Sequence, residues 1–546
     1  MSGATDPRSV AGKALSVSGE AQLLVIGAGP AGLAAAMEGV RLGLRVVLAE
    51  ESPVPAETMG LDVPLHFGGR VGGAARNRNA MMEAVLASDP AIADAFEAGV
   101  DVRLGTAAWG LWANNAAVSW LPGLILGLAA DGGSSLLRAD RVVVAAGRRD
   151  MGLAFPGWDA PGVMGVLAAE RLLLRYGALD ARRVVVLGSA AATVAACRTL
   201  QAGGVAVSAV VEQAEAPADS GAATLGVPLL LRHAPRRIVP DMQGVAALVI
   251  GGVGPDGRPI PGTEQEIPCD AVLLGIGAVP AVELLDALGA RTIFDPLRGG
   301  HVPVLDSDGQ TSVAGVYAAG DGAGTWPAKA WDRGIAGLEG RRAATAAAVS
   351  LGIAVAPVTA PAGPDPAQPD LAAYRLGWVR ACVIEAPVDP AAPDGPHVCQ
   401  CEAVTARDIL EVRPPRYLGW QDGVRNAPRD LASLVRHGPP DPDQVKRLTR
   451  AGMGLCQGRR CREQVAALLA LATGAGLHEI APATHRAPVR PLPLAAAAET
   501  AEAAGVTEQW DTWFGMASQY LPPWEVAAEH TAAGRGRTGP GEVSSE

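Results

Sequence analysis

The sequence predicts an α/β fold: two strand–helix–strand units of one design, then a small, mainly helical C-terminal domain. Three stretches predict it. Gln22 to Glu51 reads QLLVIGAGPAGLAAAMEGVRLGLRVVLAEE, and Arg183 to Gln213 repeats its frame as RVVVLGSAAATVAACRTLQAGGVAVSAVVEQ. Cys399, Cys401, Cys456 and Cys461 form two close pairs in the C-terminal part.

The first stretch opens on Leu23 to Ile26, an apolar run whose length suits a strand buried on both faces. Gly27, Gly29 and Gly32 follow at G-x-G-x-x-G spacing, with Pro30 and Ala31 opening a helix that runs from Leu33 to Leu42. Arg45 to Ala49 is the second strand, and Glu50 closes the unit 18 residues after Gly32. Each residue type has a physical task. Gly27 permits a tight turn, Gly29 lets the backbone approach a pyrophosphate, and Gly32 lets helix and strand pack closely. Glu50 is placed for the adenosine ribose hydroxyls, and the helix start offers free N–H groups and partial positive charge. A purely structural glycine turn is the plain alternative. Strand, helix, strand and acid in register favour a Rossmann-like dinucleotide site.

Ser52 to Gly73 is rich in Pro and Gly and reads as an ordered loop near this site. Arg70, Arg76 and Arg78 there either meet phosphates or are solvated loop charges. Asn79 to Ser88 and Ala91 to Ala98 read as helices, Val100 to Ala130 as antiparallel strands, and Asp131-Gly132-Gly133 as a turn. Arg141 to Gly147 is another buried strand, and Gly147 at its end is a cofactor-binding candidate.

The second stretch keeps Gly188 and ends its second strand on Glu212, but Ala190 and Thr193 replace the other two glycines. A Cβ at position 190 hinders a pyrophosphate. The frame therefore predicts a second Rossmann-like domain whose site is either empty or a working NAD(P) site. Cys197, in the middle of its helix, reads as a small core residue. Asp270 to Gly277 is one more buried strand. Thr311 to Gly322, TSVAGVYAAGDG, predicts a strand ending in Ala-Gly-Asp at a helix start. In two-dinucleotide flavoproteins, which this stretch resembles, the pattern carries an Asp that bonds the FAD ribityl chain. Gly320 and Asp321 fit that role, and a helix N-cap is the alternative for Asp321. The helix predicted over Gly334 to Ser350 could aim its positive end at the flavin.

Ala356 to Pro369 and Pro387 to Pro396 are Pro/Ala linkers, with a helix or strand between them over Leu371 to Glu385. The cysteines of Cys399-Gln-Cys401 and Cys456-Gln-Gly-Arg-Arg-Cys461 can converge from two loops on an iron–sulfur cluster, or on zinc. Asp443 to Ala451 and Arg462 to Thr473 read as helices, and Arg459, Arg460 and Arg462 as cations offsetting cluster charge. The resulting domains are a disordered lead-in (1–20), a discontinuous FAD-binding domain (20–154 and 271–355) and an NAD(P)-binding-like domain (155–270). A linker region (356–396), a 2Fe-2S domain (397–475) and a tail (476–546) follow. The tail contains Trp510, Trp513 and Trp524, a residue type suited to folding back or docking.

Composition bounds the function. The 546 residues suffice for several domains, and a net charge of −11 argues against nucleic acid. No apolar run reaches the roughly 18–20 residues that span a bilayer. Met1 to Glu20 does not read as a signal peptide, so a cytoplasmic protein is expected. No cysteine precedes Cys197, which excludes a redox disulfide beside the first site. His66, His233 and His301 are scattered, and no catalytic side chain is assigned.

Together, GAGPAG with Glu50, the degenerate unit at Gly188, VYAAGD at Asp321, and CQCEAVT with GLCQGRRC resemble one family. It is the family of FAD-dependent A or α subunits of heteromeric amino- and imino-acid dehydrogenases. Its members include the A subunit of octopine/nopaline oxidase, the B subunit of hydrogen cyanide synthase, and the α subunits of proline or hydroxyproline dehydrogenase. The C-terminal part resembles the bacterioferritin-associated-ferredoxin-like 2Fe-2S domain. The resemblance covers about residues 20 to 495. It implies a two-dinucleotide-binding flavoprotein fold, FAD, a 2Fe-2S cluster on the four cysteines, and FMN at a subunit interface as a further candidate. It also implies two partners. One is a D-amino-acid-oxidase-like β subunit; the other is a small ferredoxin-like γ subunit. The expected function is electron transfer within an opine-, proline- or sarcosine-type dehydrogenase. A stand-alone NAD(P)H-dependent FAD oxidoreductase and a non-redox nucleotide-binding scaffold are the alternatives.

Overall fold

A computed structural model describes residues 17–54, 77–116, 118–130, 133–387, 392–415, 430–436 and 438–498. The expectations for the lead-in, for Arg70 and Arg76, for the turn at 131–132 and for the tail tryptophans lie outside the described residues.

The first sheet is built from the N-terminal unit. β1 (Gly19–Ile26) lies at its centre, with Leu23, Leu24 and Val25 fully buried, as a two-sided apolar run requires. It pairs in parallel with β2 (Val46–Ala49) on one side and, three strands on in sequence beyond β3 (Asp101–Arg103), β4 (Ala107–Trp112) and β5 (Leu124–Ala130), with β6 (Gly133–Val144) on the other. The order is β3-β2-β1-β6-β5-β4. The expected antiparallel run over Val100 to Ala130 is corrected in part. β4 and β5 are antiparallel, but β3 joins β2 in parallel at the sheet edge. It follows the helix Pro90–Glu97, a crossover that returns the chain in the same direction.

The helix α1 (Pro30–Arg41) packs on one face of this sheet. The second sheet comes next in the chain and is all parallel. Its strands β7 (Val163–Gly165), β8 (Arg183–Leu187), β9 (Ala206–Glu212), β10 (Leu229–Leu231) and β11 (Ala271–Leu274) take the order β10-β9-β8-β11-β7. The helix α2 (Ala191–Ala202) links β8 to β9 and buries Cys197, whose thiol is pushed up to about 12 by desolvation. That matches a core role.

The chain then returns to the first sheet. β12 (Val316–Ala318) pairs in parallel with β6. The helix expected over Gly334 to Ser350 is present as α3 (Arg333–Ser350), capped by Asp332, but the helix start expected at Asp321 is instead one 3₁₀ turn, Gly320–Ala323. Gly320 and Gly324 sit at φ +70° and +136°, which no helix accommodates. α3 then crosses α1 backbone to backbone: a Cβ at Gly340 would stand 1.9 Å from the Ala31 carbonyl oxygen.

The segment left open between the linkers is a helix, α4 (Leu371–Val379), continued by a wider turn to Ile384. The C-terminal part holds a small ladder of His397–Cys399 with Val404–Thr405, the helix Pro442–Thr449, and α5 (Arg462–Thr473). α5 is anchored to the first domain. Ala154 N–H donates to Gln464 Oε1 (2.7 Å), and the buried Arg149 pairs with Glu463 (2.5 Å). Among the described residues no helix is long and apolar enough to cross a membrane.

Candidate nucleotide cleft and cysteine site

The C-terminal ends of β1, β2 and β6 open into a cleft of about 160 Å³ lined by Gly27, Gly29, Glu50 and Gly147. The glycines behave as their spacing predicts. Gly27 has φ +98°, and a Cβ there would lie 2.4 Å from the Ala145 carbonyl oxygen. A Cβ at Gly32 would lie 1.7 Å from the Gly27 carbonyl oxygen, so helix and turn touch directly. At Gly29 nothing lies within 4 Å, which leaves a cradle that a side chain would fill. Pro30 and Ala31 form the first turn of α1, whose N–H groups are unbonded within the helix. The donor set fits a dinucleotide pyrophosphate.

Glu50 is buried at the end of β2. Its carboxylate accepts from Ala28 N–H (2.6 Å) and Ser52 N–H (3.0 Å) and pairs with Arg175 (3.3 Å). Burial pushes its pKa up, but Arg175 and the two N–H groups outweigh that and hold it below the usual range. Glu50 therefore stays ionised, an acceptor at the place a ribose would need one.

The turn carrying Gly320 and Asp321 lies behind this cleft. A Cβ at Gly320 would meet Ala31 Cβ at 2.8 Å, and one at Gly322 would lie 3.5 Å from Gly147 N. Asp321 does not line the cleft; it pairs with Arg148 (3.4 Å), one residue past Gly147. It is not the cap of α3, since Asp332 is. The turn is clamped from beneath. Lys329, fully withdrawn from solvent, donates to Gly320 O (2.9 Å), Gly324 O (2.9 Å) and Glu339 (2.7 Å), and Gly320 N–H donates to Glu339 (2.8 Å). Nothing in the spacing of Lys329 and Glu339 announced this clamp.

The second unit is built differently at the same positions. Gly188 keeps the tight turn (φ +97°), its would-be Cβ 2.4 Å from the Gly275 carbonyl oxygen. Thr193, where the first unit has Gly32, donates its hydroxyl to Gly275 O (2.6 Å). Glu212 is wholly buried: Ser189 Oγ–H (2.6 Å) and the Tyr374 hydroxyl (2.8 Å) donate to one carboxylate oxygen. Ser189 N–H in turn donates to Tyr374 Oη (3.0 Å). α4 thus lays a tyrosine over the acid and the turn, and desolvation raises the pKa of Glu212.

The four cysteines lie close enough that each is felt electrostatically by others of the set, Cys461 by all three. Their mutual interaction lowers Cys399 and brings Cys456 to about 7, while Cys401 and Cys461 are raised. A backbone N–H aims at one of the sulfurs: Gly452 N–H donates to Cys399 Sγ (3.4 Å). Left-handed Ala403, Gln457, Gly452 and Gly458 wind the two loops around them. Among the described residues no group of three or more His, Cys, Asp or Glu is placed to hold a single metal ion.

The two sites adjoin. Glu283 lines the nucleotide cleft and also a second cavity of about 270 Å³ that reaches Cys461. It pairs with Arg149 (3.2 Å) and Arg462 (3.3 Å). Burial works against its charge, yet these arginines pull its pKa down to about 2. Arg149 Nε and Nη1 have no protein partner, and its charge is felt at Cys456.

Residues 21–349, more than half of the chain, match the family described as pyridine nucleotide-disulphide oxidoreductase. The chain belongs to that family. It is an FAD-dependent oxidoreductase, as the glycine turn and Glu50 led one to expect. Residues 417–501 match the sarcosine oxidase A3 domain. Among curated relatives, the A subunit of opine oxidase from Agrobacterium tumefaciens (strain Ach5) is 29% identical over 498 residues, covering 87% of this chain and 90% of the relative. The HcnB subunit of hydrogen cyanide synthase from Pseudomonas protegens is 27% identical over 504 residues (87% and 96%). The alpha subunit of sarcosine oxidase from Rhizobium meliloti (strain 1021) is 25% identical over 480 residues, 85% of this chain but 41% of that one. The resemblance to α and A subunits is thereby borne out. Among solved structures, L-proline dehydrogenase from P. horikoshii superposes with a TM-score of 0.57 at 20% identity, over 89% of this chain and 81% of that one, and shares the mixed α/β fold.

Proposed function

We propose that this chain is the electron-transferring subunit of a heteromeric amine or amino-acid dehydrogenase, of opine, proline or sarcosine type. FAD would occupy the first cleft, and a 2Fe-2S cluster the four cysteines. Bound there, the flavin would supply two-electron chemistry and the cluster a one-electron acceptor. The observation that carries this reading is the adjacency of the two sites across Glu283.

The residues support each part. Gly29 leaves room for the pyrophosphate, and the ionised Glu50 accepts from the ribose. Four mutually close cysteines from two loops suit a cluster whose two irons take two thiolates each. The Gly452 N–H and Arg149 stand ready to offset its negative charge. The cavity beside Cys461, lined by Lys446, Arg462 and Arg486, has the positive charge that an FMN shared with a β subunit would need. A ferredoxin-like γ subunit completes the proposed assembly, which on this reading is cytoplasmic.

Two experiments test it. Purified after co-expression with its partners, the protein should show flavin absorbance and release FAD; a colourless protein favours the scaffold alternative. Prepared without oxygen, it should be brown, with iron and sulfide in equal amounts. Zinc without iron would sink the electron-transfer role.

A further inference from the structure

We propose that Arg149 is a potential-setting residue of the cysteine site: its buried guanidinium stabilises the electron taken up by an iron–sulfur cluster on Cys399, Cys401, Cys456 and Cys461. The inference rests on the cluster reading of that site. Its starting point is a buried cation that belongs to neither loop of cysteines. Arg149 is 2% exposed, and its Nε and Nη1 have no hydrogen-bond partner among the described residues. Unpaired buried donors are costly and mark places where charge or a bound group matters.

Its position joins the two sites. The short strand Arg148–Asp150 begins one residue past Gly147, which lines the nucleotide cleft. From that strand the Arg149 guanidinium reaches Glu463 (2.5 Å), two residues after Cys461 in the first turn of α5. It also reaches Glu283 (3.2 Å), which shares a cavity wall with Cys461. The backbone follows the same path. A Cβ at Gly152 would stand 2.6 Å from the Arg460 carbonyl oxygen, on the loop between Cys456 and Cys461. Arg149 is therefore seated against the cysteine loop, and its charge acts on Cys456.

Charge gives the sign of the effect. Arg149, Arg462, Glu283 and Glu463 form a buried quartet, in which Arg462 pairs with Glu283 (3.3 Å) and Glu463 (3.9 Å). Burial pushes Glu463 up, but Arg149 and Arg462 outweigh it and hold the carboxyl below its ordinary range, as they do Glu283. All four are charged, and the quartet is neutral only while Arg149 is present. Without it one uncompensated carboxylate would lie beside the cysteines. Reduction of the cluster adds one negative charge, which a nearby carboxylate opposes and a guanidinium favours. Burial leaves that interaction poorly screened. Cluster potentials follow the charge and hydrogen bonding around them.

The test is a reductive titration of the full chain, prepared without oxygen and followed by the paramagnetic resonance of the reduced cluster. Arg149→Gln should shift the reduction equilibrium about tenfold toward the oxidised form, a midpoint about 59 mV more negative for one electron. Arg149→Lys, which keeps the charge, should recover most of the shift, and Glu463→Gln should move the midpoint the opposite way. Should Arg149→Gln fail to fold, the double variant Arg149→Gln/Glu463→Gln removes both members of the pair, and its midpoint should lie about 59 mV below that of Glu463→Gln. An unchanged midpoint in Arg149→Gln, or in the double variant against Glu463→Gln, would overturn the inference and leave the cluster reading standing. Equal shifts in Arg149→Gln and Arg149→Lys would overturn it too, by showing that packing and not charge is responsible. Loss of iron from every Arg149 variant would reduce the residue to a structural one. Wild-type protein without iron would remove the cluster reading itself.

Discussion

At Gly29 the consequence of a single side chain is direct. The position has open space in front of it, so Gly29→Val should fold normally and still lose nucleotide, because the new methyl groups occupy the pyrophosphate cradle. Flavin content of the purified variant checks this. Gly27→Val would be a poorer probe, since its Cβ would strike the Ala145 carbonyl oxygen and distort the turn. Glu283 gives a second prediction at this scale. Its folded pKa, about 2, lies below the ordinary 4.5, so the stability it contributes is present above about 4.5 and is lost as pH falls toward 2. Glu283→Gln leaves Arg149 and Arg462 with Glu463 alone and should cost about 3–5 kcal/mol at neutral pH. Denaturant unfolding should show the gap to wild type closing between pH 4.5 and 2; a constant gap would rule out the charge pair as its cause. The glycines were legible in the sequence because their requirements are local. Glu283 was not, because its partner Arg462 lies 179 residues away.

Among the elements, α4 has the clearest effect. The repeat of the first unit's frame is readable from the strands and from Glu212, and so is the loss of glycines at Ala190 and Thr193. What those residues cannot show is that a helix after a Pro/Ala linker returns to cover the site. The Tyr374 hydroxyl receives Ser189 N–H and donates to Glu212, so groups that would meet a ribose or phosphate are already satisfied. Titration with NADH and NADPH should therefore detect weak binding or none, and micromolar affinity for either would revive the stand-alone reductase. Tyr374→Phe removes the hydroxyl and leaves the buried Glu212 and Ser189 N–H each short of a partner, at a cost of about 1–3 kcal/mol. Thermal unfolding measures that cost. A loss near zero would mean that Glu212 finds water there and the helix covers it loosely. The 3₁₀ turn after β12 is a similar case. The Ala-Gly-Asp pattern marked the right place, but only the positive φ angles of Gly320 and Gly324 and the buried Lys329 explain why no helix follows at once.

The molecule taken whole has a nucleotide cleft and a cysteine site that meet, and among the described residues no pocket of it pairs with a recognisable amino- or imino-acid motif. The C-terminal part closes the cleft as well as carrying the cysteines. Val489 N–H donates to Trp109 O (2.8 Å), and Arg490 pairs with Glu51 at the cleft's rim. Both lie before Pro493, so a chain truncated after Pro493 keeps these two contacts and should keep its flavin. The tryptophans beyond are of the type that concentrates binding energy at interfaces. Truncation should therefore weaken assembly with the β subunit more than it lowers flavin content, which native mass spectrometry of the co-expressed complex would resolve. The same reasoning makes the last prediction. On the proposed reading, flavin and cluster would form an electron path with no evident substrate terminus among the described residues, so the isolated chain should not reduce a dye when offered amino acids, N-methyl amino acids or opines. Activity should appear only with the β subunit present. Robust turnover by the chain alone would place the substrate site here and overturn the proposed division of labour.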